Sequence, residues 1–378
     1  MKRYVIIAGE TSGDNYGQKL IQAIKQQENE PVEFWGIGGS QMVAAGLNSL
    51  EDANKISVVG FSEVIKKIPT LSKLLNRLAL FINELNPHNI ILIDFPGFNL
   101  NLAKRIKKYS KNNLYITYFI SPQVWAWNER RINHIKKYID TMLVIFPFEE
   151  QYYKNKNIFS RYVGHPFLDD LKCNLYSGSK RDLGFDEKKK LIGIFPGSRS
   201  EEIKRHLPIY LDAIHQFQRN NPNIECAVGL APGFDRSKIE QQYDLRKINI
   251  IDNNPLLMLS CCDVALVTSG TISLEATFMN IPSIVSYRLS FISWFISKML
   301  LKTKYISITN IMHNSMVIPE LIQHNVTSKN IIKHLAKILY KDNLKIKNNL
   351  KEVQDMFLQT HNAIDSAADY IITTNEKK

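Results

Sequence analysis

Pro196-Gly197-Ser198-Arg199-Ser200-Glu201-Glu202 follows an apolar run, Leu191–Phe195, and leads into a helix-like stretch. Thr268-Ser269-Gly270-Thr271-Ile272-Ser273-Leu274-Glu275 does the same after Val264–Val267. Such a turn leads a buried strand into a helix whose free N–H groups and positive dipole end face the sheet's C-terminal edge, a seat for phosphate. With an arginine in one turn and a carboxylate one helical turn into the other, the pair reads as a nucleotide-diphosphate site. Ser198 and Glu201 have the spacing of a capping box, which puts Arg199 at the first helical position, where a guanidinium can clamp a pyrophosphate. Glu275 stands four residues after Thr271, outside that spacing. A carboxylate on a buried helix face needs a partner, and a ribose diol or an arginine elsewhere would each serve.

Outward from these turns the chain alternates strand-like and helix-like runs. Tyr4–Ala8, Val32–Ile37, Asn89–Ile93, Leu114–Phe119 and Thr141–Ile145 read as buried strands. The rhythm stops near Gly164-His165-Pro166, and a polar stretch with Ser177-Gly178-Ser179 and a lysine run reads as a linker. It restarts with Leu191–Phe195, Ile224–Leu230, Ile248–Ile251, Val264–Val267 and Ser283–Tyr287, and helices are expected from about Pro319 onward. The expected organisation is α/β: a Rossmann-like domain over 1–168, a linker over 169–190, a second Rossmann-like domain over 191–345 and a helical tail over 346–378. Two doubly wound parallel sheets would then face a cleft.

The 378 residues are enough for two domains with separate cores, and 44% apolar with 22% charged residues is a globular balance. Met1-Lys2-Arg3 runs straight into a strand, with no signal-sequence pattern. The longest apolar stretch, Leu289 to Leu301, is about 13 residues, carries Lys298 and is too short to span a bilayer. The four cysteines show no C-x-x-C spacing, so neither a zinc site nor a disulfide framework is indicated, and a cytoplasmic protein is expected. A net charge of +12 suits anionic partners, but it is spread along a chain rich in Lys, Asn and Ile. It lacks the basic blocks and aromatic interleaving of nucleic-acid modules, so no nucleic-acid partner is expected.

Other segments bear on chemistry. The glycine turn Gly9-Glu10-Thr11-Ser12-Gly13-Asp14 matches neither the dinucleotide fingerprint nor the P-loop; Ser12 or Asp14 could cap a helix, or Ser12 could touch a sugar. Asp94, in Ile93-Asp94-Phe95-Pro96-Gly97, ends an apolar strand, where a carboxylate suits general-base work or caps the next turn. Trp125 and Trp127 read as packing or as a platform for a sugar ring. Val64, Ile68, Leu71, Leu74 and Leu75 recur at helical spacing among Lys66, Lys67, Lys73 and Arg77, a pattern that fits either a core helix or a membrane surface.

In order, the chain carries Gly9-Glu10-Thr11-Ser12-Gly13-Asp14, Gly36-Ile37-Gly38-Gly39, Ser57-Val58-Val59-Gly60, Asp94-Phe95-Pro96-Gly97-Phe98-Asn99 and Ser121-Pro122-Gln123-Val124-Trp125-Ala126-Trp127. Phe146-Pro147-Phe148-Glu149, Val163-Gly164-His165-Pro166, Pro196-Gly197-Ser198-Arg199, Ser269-Gly270-Thr271 with Glu275, and Asn310-Ile311 follow. This set resembles the lipid-A-disaccharide synthase family from about residue 4 to residue 325. The resemblance implies a GT-B fold and an inverting, metal-independent glycosyl transfer with no cofactor. The donor would be UDP-2,3-diacylglucosamine and the acceptor 2,3-diacylglucosamine 1-phosphate. It further implies peripheral attachment to the anionic cytoplasmic face of the inner membrane of a Gram-negative bacterium, with Val64, Ile68, Leu71, Leu74 and Leu75 as lipid contacts. A homodimer is compatible with it. By matching position, Ser12 and Asp94 would be catalytic, while Arg199, Ser269, Gly270, Thr271, Glu275 and Asn310 would hold the donor. Thr309 departs from the proline that the family often has there. Two rivals stay open: another UDP-sugar enzyme of the same architecture, such as a UDP-N-acetylglucosamine 2-epimerase or a soluble glycosyltransferase, and a non-catalytic nucleotide or lipid-binding module.

Overall fold

The computed structural model describes residues 1–9, 11–52, 64–110, 112–126, 128–173, 175–246, 248–289, 303–357 and 362–376; at 11, 51–52, 64–70 and 375–376 only the backbone is described. The chain divides into two compact units, Met1–Asp169 with Phe357–Lys378, and Asp170–Met356.

In the first unit the strands are β1 (Lys2–Ala8), β2 (Val32–Gly38), β3 (Leu47–Asp52), β4 (Asn89–Ile93), β5 (Ile116–Phe119), β6 (Thr141–Val144) and β7 (Ser160–Tyr162). They form one sheet in the order β3-β2-β1-β4-β5-β6-β7, every neighbouring pair parallel. Tyr4–Ala8 and all of β4 are buried, because helices cover both faces and continuous Val/Ile/Leu runs are what such a strand requires. β3 and β7 lie at the sheet's edges, and their polar sequences, LNSLED and SRY, give no apolar run to read. The strand order reverses between β1 and β4. That is the topological switch point, where chain segments leave the sheet in opposite directions and open a crevice at the C-terminal edge.

Helix Val64–Leu85 covers this sheet together with helix Pro96–Tyr109. Its stripe Leu75, Leu78, Ala79 and Ile82 packs with Leu102, Ala103 and Ile106 over Val5, Ile7, Ile90 and Leu92. Of the expected membrane face, Leu75 is only 4% exposed, and Leu71 and Leu74 are half-buried against the same cluster. An apolar stripe is equally satisfied by a sheet or by lipid, so periodicity could not choose, and here the sheet takes it. The side chains of Val64 and Ile68 lie outside the described residues, as do Ser57-Val58-Val59-Gly60 and the stretch 290–301.

In the second unit β8 (Lys190–Phe195), β9 (Ile224–Gly229), β10 (Asn249–Ile251), β11 (Val264–Thr268), β12 (Ser283–Tyr287) and β13 (Glu320–Ile322) form a parallel sheet in the order β10-β9-β8-β11-β12-β13. The switch point here lies between β8 and β11. β13 corrects the expectation that only helices follow Pro319: three residues are too few to show a period, and pairing with β12 makes them a strand. The stretch read as a linker is fastened to this unit, with Phe185 in its core and Lys180 paired to Asp263 at 2.7 Å. Helix Asn343–Phe357 reaches the boundary between the units, and helix Ala363–Glu376 returns to the first. There the Asp169 carboxylate caps the last helix, accepting from the N–H groups of Ala363 at 2.9 Å and Ile364 at 3.2 Å. No described helix is long and apolar enough to cross a membrane.

Candidate active site

The first unit's switch point is built from the turns after β1 and β4. Gly9 ends β1 because the Phe95 ring lies where its side chain would be; a Cβ there would come within 2.3 Å of Phe95 Cδ1. The two turns are thereby interlocked. Ser12 is exposed just beyond, in the first turn of helix Thr11–Gln27. Asp14 does not cap its own helix. Its buried carboxylate accepts from the N–H groups of Gly39 (2.8 Å), Gln41 (3.1 Å) and Met42 (3.0 Å), so it caps helix Ser40–Ala44 and ties the ETSGD and GIGG segments together.

Asp94 leaves β4 half-buried and in the left-handed region at φ 44°, and Phe95 follows at φ 48°. Two consecutive non-glycine residues in that region cost about 1–3 kcal/mol each and persist only where their surroundings hold them. The Asn99 amide holds them by donating to the carbonyls of Ile93 (3.2 Å) and Asp94 (2.7 Å). The Tyr118 hydroxyl also donates to the Asp94 carbonyl, and Pro96 starts the next helix directly. The carboxyl of Asp94 and the hydroxyl of Ser12 thus sit at the C-terminal ends of neighbouring strands.

Beside them, the turns after β5, β6 and β7 carry a buried polar cluster. Trp125 Nε1 donates to Glu149 Oε1 at 2.9 Å, and the indole meets the Phe148 ring edge-on, centroids 4.9 Å apart. Trp125 is therefore packed among aromatic rings, and Trp127 lies outside the described residues. Burial pushes Glu149 up to about 8 and His165 down to about 3, each toward its neutral form.

At the second unit's switch point, Arg199 is the N-cap of helix Ser200–Arg219, and the capping acid is Glu202. Its Oε2 accepts from the N–H groups of Ser198 (2.9 Å) and Arg199 (3.2 Å), and its Oε1 meets the Arg199 guanidinium at 3.3 Å. The box expected from Ser198 and Glu201 is thus displaced by one residue. Glu201 points outward to Lys204 and Arg205. Apart from this ion pair with Glu202 the Arg199 side chain is 72% exposed.

The turn after β11 is the opposite case. Gly270, at φ 156°, adopts a conformation that disfavours other residues, and helix Thr271–Phe278 begins with no side-chain cap. Ser269 is half-buried and Thr271 exposed beside this open helix start. Glu275 is half-buried on the same helix, and no described side chain pairs with its carboxyl, which rules out the arginine partner among those residues. Burial, and behind it the charge of Asp170, pushes Glu275 up to about 7.

Asn310 is fully buried and spends its amide inside the protein. Nδ2 donates to the Ile318 carbonyl (2.9 Å) and to Glu320 (2.8 Å), while Oδ1 accepts from the N–H groups of Val317 (2.8 Å) and Ile318 (3.0 Å). All four hydrogen-bonding positions are taken, so the side chain has none to offer a ligand. Next to it the Thr309 hydroxyl bonds Thr277 at 2.6 Å, tying helix Ile308–His313 to the helix that carries Glu275.

The family model for lipid-A-disaccharide synthetase matches residues 4–375. The lipid-A-disaccharide synthase of Myxococcus xanthus is 33% identical over 339 residues, which is 89% of this chain and 88% of the relative. The chain belongs to the lipid-A-disaccharide synthase family. It is a glycosyltransferase of lipid A biosynthesis. Among solved structures, UDP-GlcNAc 2-epimerase from Neisseria meningitidis bound to UDP-GlcNAc superposes with a TM-score of 0.63 at 11% identity, covering 100% of both chains. The calicheamicin glycosyltransferase CalG4 gives 0.63 at 10% identity, over 100% of this chain and 99% of that one. These likenesses establish the GT-B fold.

Within the family's segments, the sequence already marked FPFE and GHP, yet nothing in it assigned a task to Glu149, Tyr153 or His165. A glutamate three residues after Phe146, in the first turn of helix Pro147–Lys154, has the ordinary signature of a helix start, and only the fold shows that its carboxyl is wholly buried. Glu202 was equally hidden, behind an adjacent glutamate with the more familiar spacing.

Proposed function

We propose that this chain transfers the diacylglucosaminyl group of UDP-2,3-diacylglucosamine to the 6-hydroxyl of 2,3-diacylglucosamine 1-phosphate, with inversion and without a metal. The family match over residues 4–375 carries this reading. Asp94 takes the proton of the acceptor 6-hydroxyl as that oxygen bonds to the anomeric carbon. The bond from that carbon to the β-phosphate oxygen breaks, and UDP leaves with the electron pair. Ser12 orients the acceptor from the neighbouring turn.

On the second unit, the open N–H groups at Gly270 and Thr271 receive the pyrophosphate, with Ser269 beside them and Arg199 swinging in as the mobile counter-charge. The other helix start is already filled by Glu202, which favours Gly270 as the phosphate seat. Glu275 accepts from the ribose hydroxyls, a role supported by a half-buried carboxyl with no partner among the described side chains. Asn310 supports this site by holding the 317–320 turn. The acyl chains of both substrates, together with the +12 charge, support residence on the anionic cytoplasmic face of the inner membrane.

Purified protein with the two acylated substrates in EDTA, read by mass spectrometry, tests the reading. The disaccharide 1-phosphate and UDP should form, and should be lost in Asp94→Ala. A folded protein that binds UDP but makes no disaccharide would transfer the case to an epimerase or to a transferase of unacylated sugars.

A further inference from the structure

A carboxyl with no exposure is costly unless it is either paired with a cation or kept protonated. Glu149 is 0% exposed. The groups acting on it most strongly are the Trp125 indole, the N–H groups of Phe146 and Ile145, and the Ser121 hydroxyl, all neutral. Tyr153, one turn along the same helix, is held well above the usual tyrosine range by burial and by Glu149 itself, and His165 on the turn after β7 is uncharged. Phe146, Phe148 and Phe357 complete the surroundings.

Glu149 and Tyr153 together hold one turn. Ile120, a β-branched residue, sits in the left-handed region at φ 64°, where such side chains are genuine outliers. The turn that follows is pinned twice to helix Pro147–Lys154: Ser121 Oγ lies 2.6 Å from the Tyr153 hydroxyl, and Trp125 Nε1 donates to Glu149. β5, which leads into this turn, is the neighbour of β4, and its Tyr118 donates to the carbonyl of Asp94. Strain on β5 is therefore one hydrogen bond from the left-handed backbone of Asp94.

We propose that Glu149 is a positioning residue that latches the 120–126 turn and through it fixes the backbone of Asp94. Its neutral donors stabilise the ionised form in part, but no cation faces it from among the groups that act on it, so loss of the proton among aromatic rings draws water in and loosens the turn. This rests on Asp94 being the base of the transfer, but the latch itself can be judged without turnover.

The test is kcat/KM against pH for the full chain, beside tryptophan fluorescence of the protein alone across the same range. The wild type should lose activity as pH rises through about 8, with a fluorescence step at the same midpoint. Glu149→Gln, a neutral isostere, should keep most of the neutral-pH activity and lack both the alkaline limb and the step. Trp125→Phe breaks one of the two pins and removes a donor that stabilises the anion, so activity should fall at every pH and the remaining limb should move to higher pH; this arm decides the matter if the glutamine variant does not fold. An unchanged limb in Glu149→Gln, or an unmoved one in Trp125→Phe, overturns the proposal. Absence of disaccharide at every pH would sink the transfer reading instead, leaving the fluorescence step to decide on the latch.

Discussion

The two units repeat one architecture and furnish its switch points in opposite ways. In the first, β4 ends in Asp94 and Phe95, non-glycine residues forced into the left-handed region and held by Asn99 and Tyr118. In the second, β11 ends in Gly270, which takes its conformation at little cost and leaves a helix start uncovered. A strained, over-determined backbone can aim a reacting group. An uncapped helix start can receive an anion but aims nothing by itself. On the proposed reading, the same fold separates chemistry from binding through the residue type at one position after a strand, as expected when function lives in sites rather than in folds.

This division makes crossed predictions. Asp94→Asn should lower kcat/KM by about 10²–10⁴-fold, the range for loss of a general base, with UDP affinity unchanged in calorimetry. A matching fall in UDP affinity would break the separation. Glu275→Ala should instead weaken UDP binding by about 10–100-fold, or about 1.4–2.7 kcal/mol. The pH dependence of that binding sharpens the point. Ribose hydroxyls donate to the ionised carboxyl, whose pKa in the free protein is raised to about 7, so wild-type UDP affinity should increase as pH rises through that value. It should be flat in Glu275→Gln. Smallest is Glu202→Ala, which removes the cap of helix Ser200–Arg219 and should cost about 1 kcal/mol of stability in urea titration. UDP affinity should stay level or rise slightly, because the lost carboxylate no longer occupies Arg199; a rise of more than about tenfold would place the pyrophosphate at that helix start, whose N–H groups Glu202 otherwise fills.

Much of the candidate site was legible because it sits at strand ends. An apolar run that stops at Asp94, or at Pro196-Gly197, marks the sheet's C-terminal edge in the sequence itself. What misled was local spacing. Ser198 and Glu201 satisfied the capping pattern, but the helix begins one residue later, and Glu202 takes the two N–H groups. Asn310 had the position of a donor contact, yet Val317, Ile318 and Glu320, residues seven to ten further along, consume its amide.

By itself the sequence determined the alternating architecture, the two switch-point turns and the family, because buried strands and glycine turns leave periodic, local marks. Only the tertiary structure decided that Leu71, Leu74 and Leu75 pack toward a sheet, that Glu149 is a wholly buried acid and that Glu275 has no partner among the described residues. Those are questions of what lies opposite a side chain. The answer comes from segments far away along the chain, whose approach no local pattern encodes.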